Sequence, residues 1–142
     1  MLLLPVVAIL SLSFVTEKIS VQNKESQQFI TNSKIDSYID EVYGQYAEEL
    51  VYNTNKYRLI KDLIRNRIEY KQQSEMQGKN FKKLSDVPLI NKYNPNLKRD
   101  LSFNPNEFNP LKYQMDFFNR YGAVYRVDNT NYLIVIKSPS SN

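Results

Sequence analysis

The sequence predicts an α+β fold, an N-terminal antiparallel helical hairpin packed on a C-terminal three-stranded antiparallel β-meander. Three observations carry this. Apolar residues between positions 34 and 73 recur at helical spacing. Between 113 and 137, three short runs rich in aromatic and β-branched residues are divided by turn sequences. Between these regions stand Pro88, Pro95, Pro105 and Pro110, which exclude a long helix or a central strand there.

The first helix is predicted over 34–51. Ile35, Tyr38, Ile39, Val42, Tyr43, Tyr46, Ala47 and Leu50 form one stripe, and Ser33 is the expected N-cap with Asp36 as its capping-box partner. Gly44 sits inside this helix at a cost of about 1 kcal/mol. Asn53-Thr54-Asn55 is turn chemistry, and Tyr57, Ile60, Leu63, Ile64 and Ile68 predict a second helix over 56–73. So short a connection favours antiparallel packing. The strands are predicted at 113–118, 123–127 and 132–137, and Asp128-Asn129-Thr130-Asn131 is the clearest hairpin signal.

Three Asn-Pro pairs, Asn94-Pro95, Asn104-Pro105 and Asn109-Pro110, lie between the helical and strand regions. An Asn accepts a local backbone hydrogen bond while the following Pro holds its own torsion, so they are read as structural punctuation. Asn104-Pro105 is expected to open a short helical turn. Interleaved aromatics, Tyr93, Phe103, Phe108 and Tyr113, are expected to tie this loop to the core.

The domain plan is a signal peptide over 1–21, a polar lead-in over 22–32, one α+β domain over 33–137 and a frayed tail over 138–142. "MLLLPVVAILSLSFV" carries no charge before Glu17 and is shorter than the roughly 20 apolar residues of a membrane span. It matches the hydrophobic region of a secretory signal, although no Lys or Arg precedes it and the cleavage point is vague. Retention as an anchor and burial in the core are the alternatives. The expected location is periplasmic or secreted, with no stable membrane span in the mature protein.

Composition removes many chemistries. The chain has no Cys, His or Trp and only 3 Gly. A thiol nucleophile, a Ser-His-Asp triad, a His base and a Cys/His zinc site are therefore excluded. No phosphate-cradling glycine motif is present, and no cofactor, metal or catalytic residue is expected. Asp128, Asn129 and Asn131 resemble calcium ligands, but the Gly and terminal Glu of a twelve-residue loop are missing. Asp36 and Asp40, one turn apart, are better read as a solvated face than as an acid/base pair.

The net charge is +4. Residues 56–71 hold six cations against Asp62 and Glu69, while 34–51 hold five carboxylates against Lys34, so the two helices are expected to complement each other. That cancels the far field a polyanion would need, and nucleic acid is not the expected partner.

The ending "NPLKYQMDFF…YRVDNTNYLIVIK", with "NKYNPNL" upstream, resembles small exported proteins of flavobacteria and related Bacteroidota that carry no assigned activity. The resemblance covers roughly residues 90–137. It implies an envelope location and a small α+β domain, and it brings no catalytic residues. The expected role is a non-catalytic binding or assembly module with a protein partner. The first surface to test is Tyr93, Asn94, Phe103, Asn104, Phe108 and Asn109, together with the exposed tyrosines. The alternative is a carbohydrate- or peptidoglycan-contacting module that uses those tyrosines, and a distant third is a carboxylate hydrolase with an inward-facing Asp or Glu.

Overall fold

The structure, a computed structural model, describes residues 29–73 and 80–139. The signal segment at 1–21, most of the polar lead-in and the end of the tail lie outside the described residues. The fold is α+β, with two helices followed by a four-stranded mixed sheet.

Helix α1 spans Asn32–Tyr43 and buries Ile35, Tyr38, Ile39 and Val42, the predicted stripe. Its N-cap is Thr31, whose hydroxyl accepts from Lys34 N at 3.3 Å, so Ser33 stands inside the first turn rather than before it. Gly44 ends the helix with φ 51° and ψ −131°, a conformation that a side chain disfavours. The chain continues as a tight turn at 44–46 and a wide helical turn at 48–52. The predicted single helix over 34–51 is thus broken at its glycine.

Helix α2 spans Asn55–Asp62, capped by Thr54, and widens into a π-type turn over Leu63–Arg67. It stops there. Residues Ile68–Gln72, predicted as the end of this helix, form strand β1. Ile64 and Ile68 fit a helical stripe, but Ile68-Glu69-Tyr70-Lys71 also alternates apolar and polar. An available sheet edge decides between the two readings.

The predicted helical hairpin is not formed. The helices meet through tyrosine hydroxyls: Tyr52 donates to Asp40 Oδ1 at 2.8 Å and Tyr57 to Asp36 Oδ1 at 2.8 Å. Among the described residues, no ion pair joins the two helices. Lysine reaches carboxylates elsewhere, as in Lys34–Glu107, Lys112–Glu41 and Lys137–Glu69.

The sheet order is β1-β4-β3-β2, with β2 at Lys82–Lys83, β3 at Ala123–Arg126 and β4 at Tyr132–Ile136. β3 and β4 form the expected antiparallel hairpin, closed by Val127 N donating to Tyr132 O and by Asn129 at φ 55°. The rest corrects the meander. β1 takes the far edge of β4, antiparallel, and β2 joins β3 in parallel. The stretch 113–118 is not a strand. Its Tyr113 makes one bridge to Leu89, and Met115 N and Phe117 N donate two residues back to Tyr113 O and Met115 O. Such tight turns use up the donors a ladder needs.

Ile134, Ile136, Tyr125, Val127 and Ile68 face α1 and the 84–115 loop in one core with Ile35, Ile39, Val42, Val51, Val87 and Phe108. Gly122 starts β3 beside the end of β4. It has φ 77°, and a Cβ there would stand 2.5 Å from Ile136 O. Gly44 has a positive φ but open space around it. Gly44→Ala is expected to cost about 1–2 kcal/mol from torsion alone. Gly122→Ala must cost more, on the order of 3 kcal/mol, because the close approach adds to a similar strain. Urea unfolding of both variants checks this, and equal losses would remove the steric account.

Candidate functional site

The three Asn-Pro pairs share one local device. Asn94 Oδ1 accepts from Asn96 N at 3.1 Å, Asn104 Oδ1 from Asn106 N at 3.0 Å, and Asn109 Oδ1 from Leu111 N at 3.0 Å. Each side chain thereby closes a turn over the proline that follows it. The short 3₁₀ turn opened by such a pair is Pro110–Lys112, capped by Asn109, and not one at Pro105.

Two of these asparagines also use their amide nitrogens. Asn94 Nδ2 donates to Glu41 O at 2.8 Å, a carbonyl in the last turn of α1 where helical partners run out. Asn109, only 1% exposed, donates to Tyr38 O at 3.0 Å and to Glu41 Oε2 at 2.9 Å. Asn104 is exposed.

Beside Asn109 lies a polar clamp. Lys112 is 4% exposed, and its ammonium is 2.8 Å from Asp100 Oδ1 and 3.4 Å from Glu41 Oε1. Tyr113 donates its hydroxyl to Asp100 Oδ2 at 2.9 Å. Burial, reinforced by Glu107, Glu41 and Asp100, pushes the Tyr38 hydroxyl up to about 12, and burial does the same for Tyr113. These groups are held in one protonation state across the neutral range.

The loop and the β3–β4 turn enclose an open groove of about 480 Å³ with Phe103, Phe108 and Tyr113 among its walls and Asp100 and Asp128 at its rim. Both carboxylates are engaged. Asp128 accepts from Ser85 N at 3.0 Å and from Ser85 Oγ at 2.9 Å. Burial alone would raise its pKa, but the Ser85 bonds and nearby Lys83 outweigh burial and hold it below its usual value. An acid catalyst needs the opposite shift. Asp36 and Asp40 are likewise bonded to Tyr57 and Tyr52. Among the described residues, no group of three or more Asp or Glu is arranged to hold a metal ion.

The sequence-predicted surface residues divide between two places. Phe103 and Phe108 are 5.1 Å apart by ring centroid and join Tyr70, Tyr113 and Tyr132 in an aromatic cluster, with Phe108 buried. Tyr93 stacks on Tyr43 at 5.2 Å with Tyr46 at 5.9 Å, and Lys56 and Lys92 lie over the rings of Tyr43 and Tyr93. Asn94 holds that platform to α1.

A third surface was not legible. Phe118 and Tyr121 stand on the turn before β3, 72% and 82% exposed. Residues 117–118 read as strand interior from their aromatic content, and only the missing ladder leaves Phe118 outside. The turn is held from below by Arg67, 5% exposed, which donates to Phe117 O and to Lys137 O. Arg67 counted in the sequence as one more charge on a basic helix, and no periodicity marks it as a main-chain staple.

Asn109→Ala removes three hydrogen bonds and leaves the Glu41 carboxylate short of a donor. It is expected to lose about 2–4 kcal/mol, while Asn104→Ala on an exposed turn loses less than about 1 kcal/mol. The denaturation midpoints of the two variants test this order. Asp128 has a depressed folded-state pKa, so its contribution is fully present above the ordinary value of 3.8 and is lost as pH falls through the lower folded value. The stability gap between wild type and Asp128→Asn is therefore expected to close on acidification below about pH 4 and to stay constant from pH 5 to 7. A gap independent of pH in acid would refute the Ser85 cap.

Compared with protein-family models, with curated proteins and with solved structures, the chain matches none.

Proposed function

We propose that this chain is an exported, non-catalytic binding or assembly module of the cell envelope whose partner is a protein. The observation that carries this is the turn bearing Phe118 and Tyr121. Two large aromatic side chains project outward from a base secured by buried Arg67 and by the Tyr125 hydroxyl, which accepts from Asp116 N at 2.8 Å. Aromatic side chains on an ordered base bring large contact area at low entropic cost, which is the chemistry of interface hot spots. Engagement of the groove carboxylates by Ser85, Lys112 and Tyr113 supports the non-catalytic reading. The apolar, uncharged stretch before Glu17 supports export. Among the described residues, no helix is long and apolar enough to cross a membrane.

The Tyr43–Tyr46–Tyr93 platform favours a second reading, contact with a carbohydrate or peptidoglycan. Stacked rings with lysines alongside offer a sugar both an apolar face and polar donors.

The test places a photo-crosslinking residue at Phe118, Tyr121 or exposed Leu101 in the cell of origin. A discrete protein adduct from 118 and 121, absent from 101 and recovered in the envelope fraction, is expected. Equal crosslinking from all three positions, or none, would sink the protein-partner reading. Loss of retention on envelope polysaccharide in Tyr46→Ala and Tyr93→Ala, with crosslinking absent, would establish the second reading instead. Intact mass of the fractionated protein should show a loss of roughly 13–21 residues, and a full-length cytosolic product would overturn export.

A further inference from the structure

The face of the sheet turned away from the helices carries a row set by the register. Lys71, Leu133, Arg126 and Lys83 lie side by side across β1, β4, β3 and β2, on the opposite face from buried Tyr125 and Ile134. Neighbouring strands are about 4.8 Å apart, so Arg126 and Lys83 are adjacent cations. Lys71 is satisfied by Glu69 at 3.3 Å. The other two have no carboxylate partner among the described residues.

Arg126 is the anomaly. Its Nε is buried and has no hydrogen-bond partner among the described residues. A buried donor of a permanently charged group is costly to leave unpaired. The nearest carboxylate does not relieve it. Asp128 lines the same open cavity of about 640 Å³, yet it gives both oxygens to Ser85. The cavity is completed by Lys83 and by Asn129 and Asn131, both exposed on the hairpin turn. Its walls thus offer a guanidinium with an open edge, an ammonium and two amide groups, with one carboxylate already engaged.

We propose that Arg126 and Lys83 bind a phosphate group in this cavity. A guanidinium meets an oxyanion through Nε and Nη together, in a two-bond geometry that no single water reproduces. Phosphate carries about −1.5 to −2 charge at neutral pH and enough acceptor oxygens to take Lys83 and a turn amide as well, which a carboxylate does not. Asp128 opposes the anion and limits its affinity. The site uses none of the aromatic residues assigned to partner binding, so each reading can fail without the other. The phosphate can belong to a soluble ion or to a lipid headgroup.

The experiment is thermal unfolding of the full chain in inorganic phosphate against chloride at matched ionic strength. Wild type is compared with Arg126→Met, Arg126→Lys and the exposed-site variant Lys83→Met. Phosphate is expected to raise the wild-type Tm by several degrees in a saturable way. The apparent affinity should fall by about tenfold or more in Arg126→Met and Lys83→Met. Arg126→Lys, which retains charge but not the two-bond edge, should fall between. Without phosphate, Arg126→Met should melt no lower than wild type, since it removes an unpaired donor. A much lower melting point there would mean the guanidinium already has a structural partner, and the proposal would fall. A rise shared equally by wild type and variants is the general salting effect of phosphate and would also overturn it. Vesicles of phosphatidylcholine with and without phosphatidylglycerol then separate the sources. Arg126-dependent binding only to anionic vesicles assigns a headgroup, and an Arg126-dependent response to free phosphate assigns the soluble ion. Neither response, in wild type, refutes the site.

Discussion

The structure depends on the buried ammonium of Lys112. Taking a lysine from water costs several kcal/mol, so its position is tenable only where carboxylates meet it on arrival. Asp100 and Glu41 do so from two directions, one from the loop and one from α1. Tyr113 then occupies the second oxygen of Asp100, and Asn109 the second oxygen of Glu41. Helix α1, the Asn-Pro loop and the 3₁₀ turn at Pro110–Lys112 are thereby brought to one point. Any displacement of the loop along the helix strands a charge, so this contact sets register more than it adds stability.

Arginine repeats the logic on main-chain atoms. Arg67 gathers the carbonyls of Phe117 and Lys137, and Arg99 those of Leu84 and Val87. Segments without ladder partners still need their carbonyls satisfied, and a five-donor guanidinium reaches several at once. This is how a region of 84–122 with hardly any regular structure stays ordered. It also explains why a basic chain presents less positive surface than its composition suggests. Part of that charge is spent inside. The surfaces left for partners are small and specific: an aromatic turn on an Arg67 base, a tyrosine platform tied by Asn94, and the open edge of Arg126.

Legibility in the sequence followed the range of the interactions. The apolar stripe of α1, the hairpin at 128–131 and the turn role of Asn-Pro rest on contacts within a few residues, and each could be read. Ile68 could not be assigned, because a helical stripe and an alternating strand share that residue, and the deciding partner, Ile136, is 68 positions away. The stretch 113–118 misled for the converse reason. Its aromatics suit a strand, but the edge it needed was taken by Lys82–Lys83, a pair with no strand signature. Of the anticipated surface, Phe108 and Asn109 proved to be interior, since the same side chains that anchor a loop are used up in anchoring it.

What the sequence determined by itself was local and negative. It set the helix start, the breaks at glycine and proline, the asparagine turns and the chemistries a chain without Cys or His cannot perform. Tertiary structure decided the strand order, the end of α2 and the division of charged residues into staples and free groups. The physical reason is that torsions and turn hydrogen bonds are fixed by neighbours in the chain. Strand pairing and the burial of a charge are fixed only by what arrives from elsewhere in it.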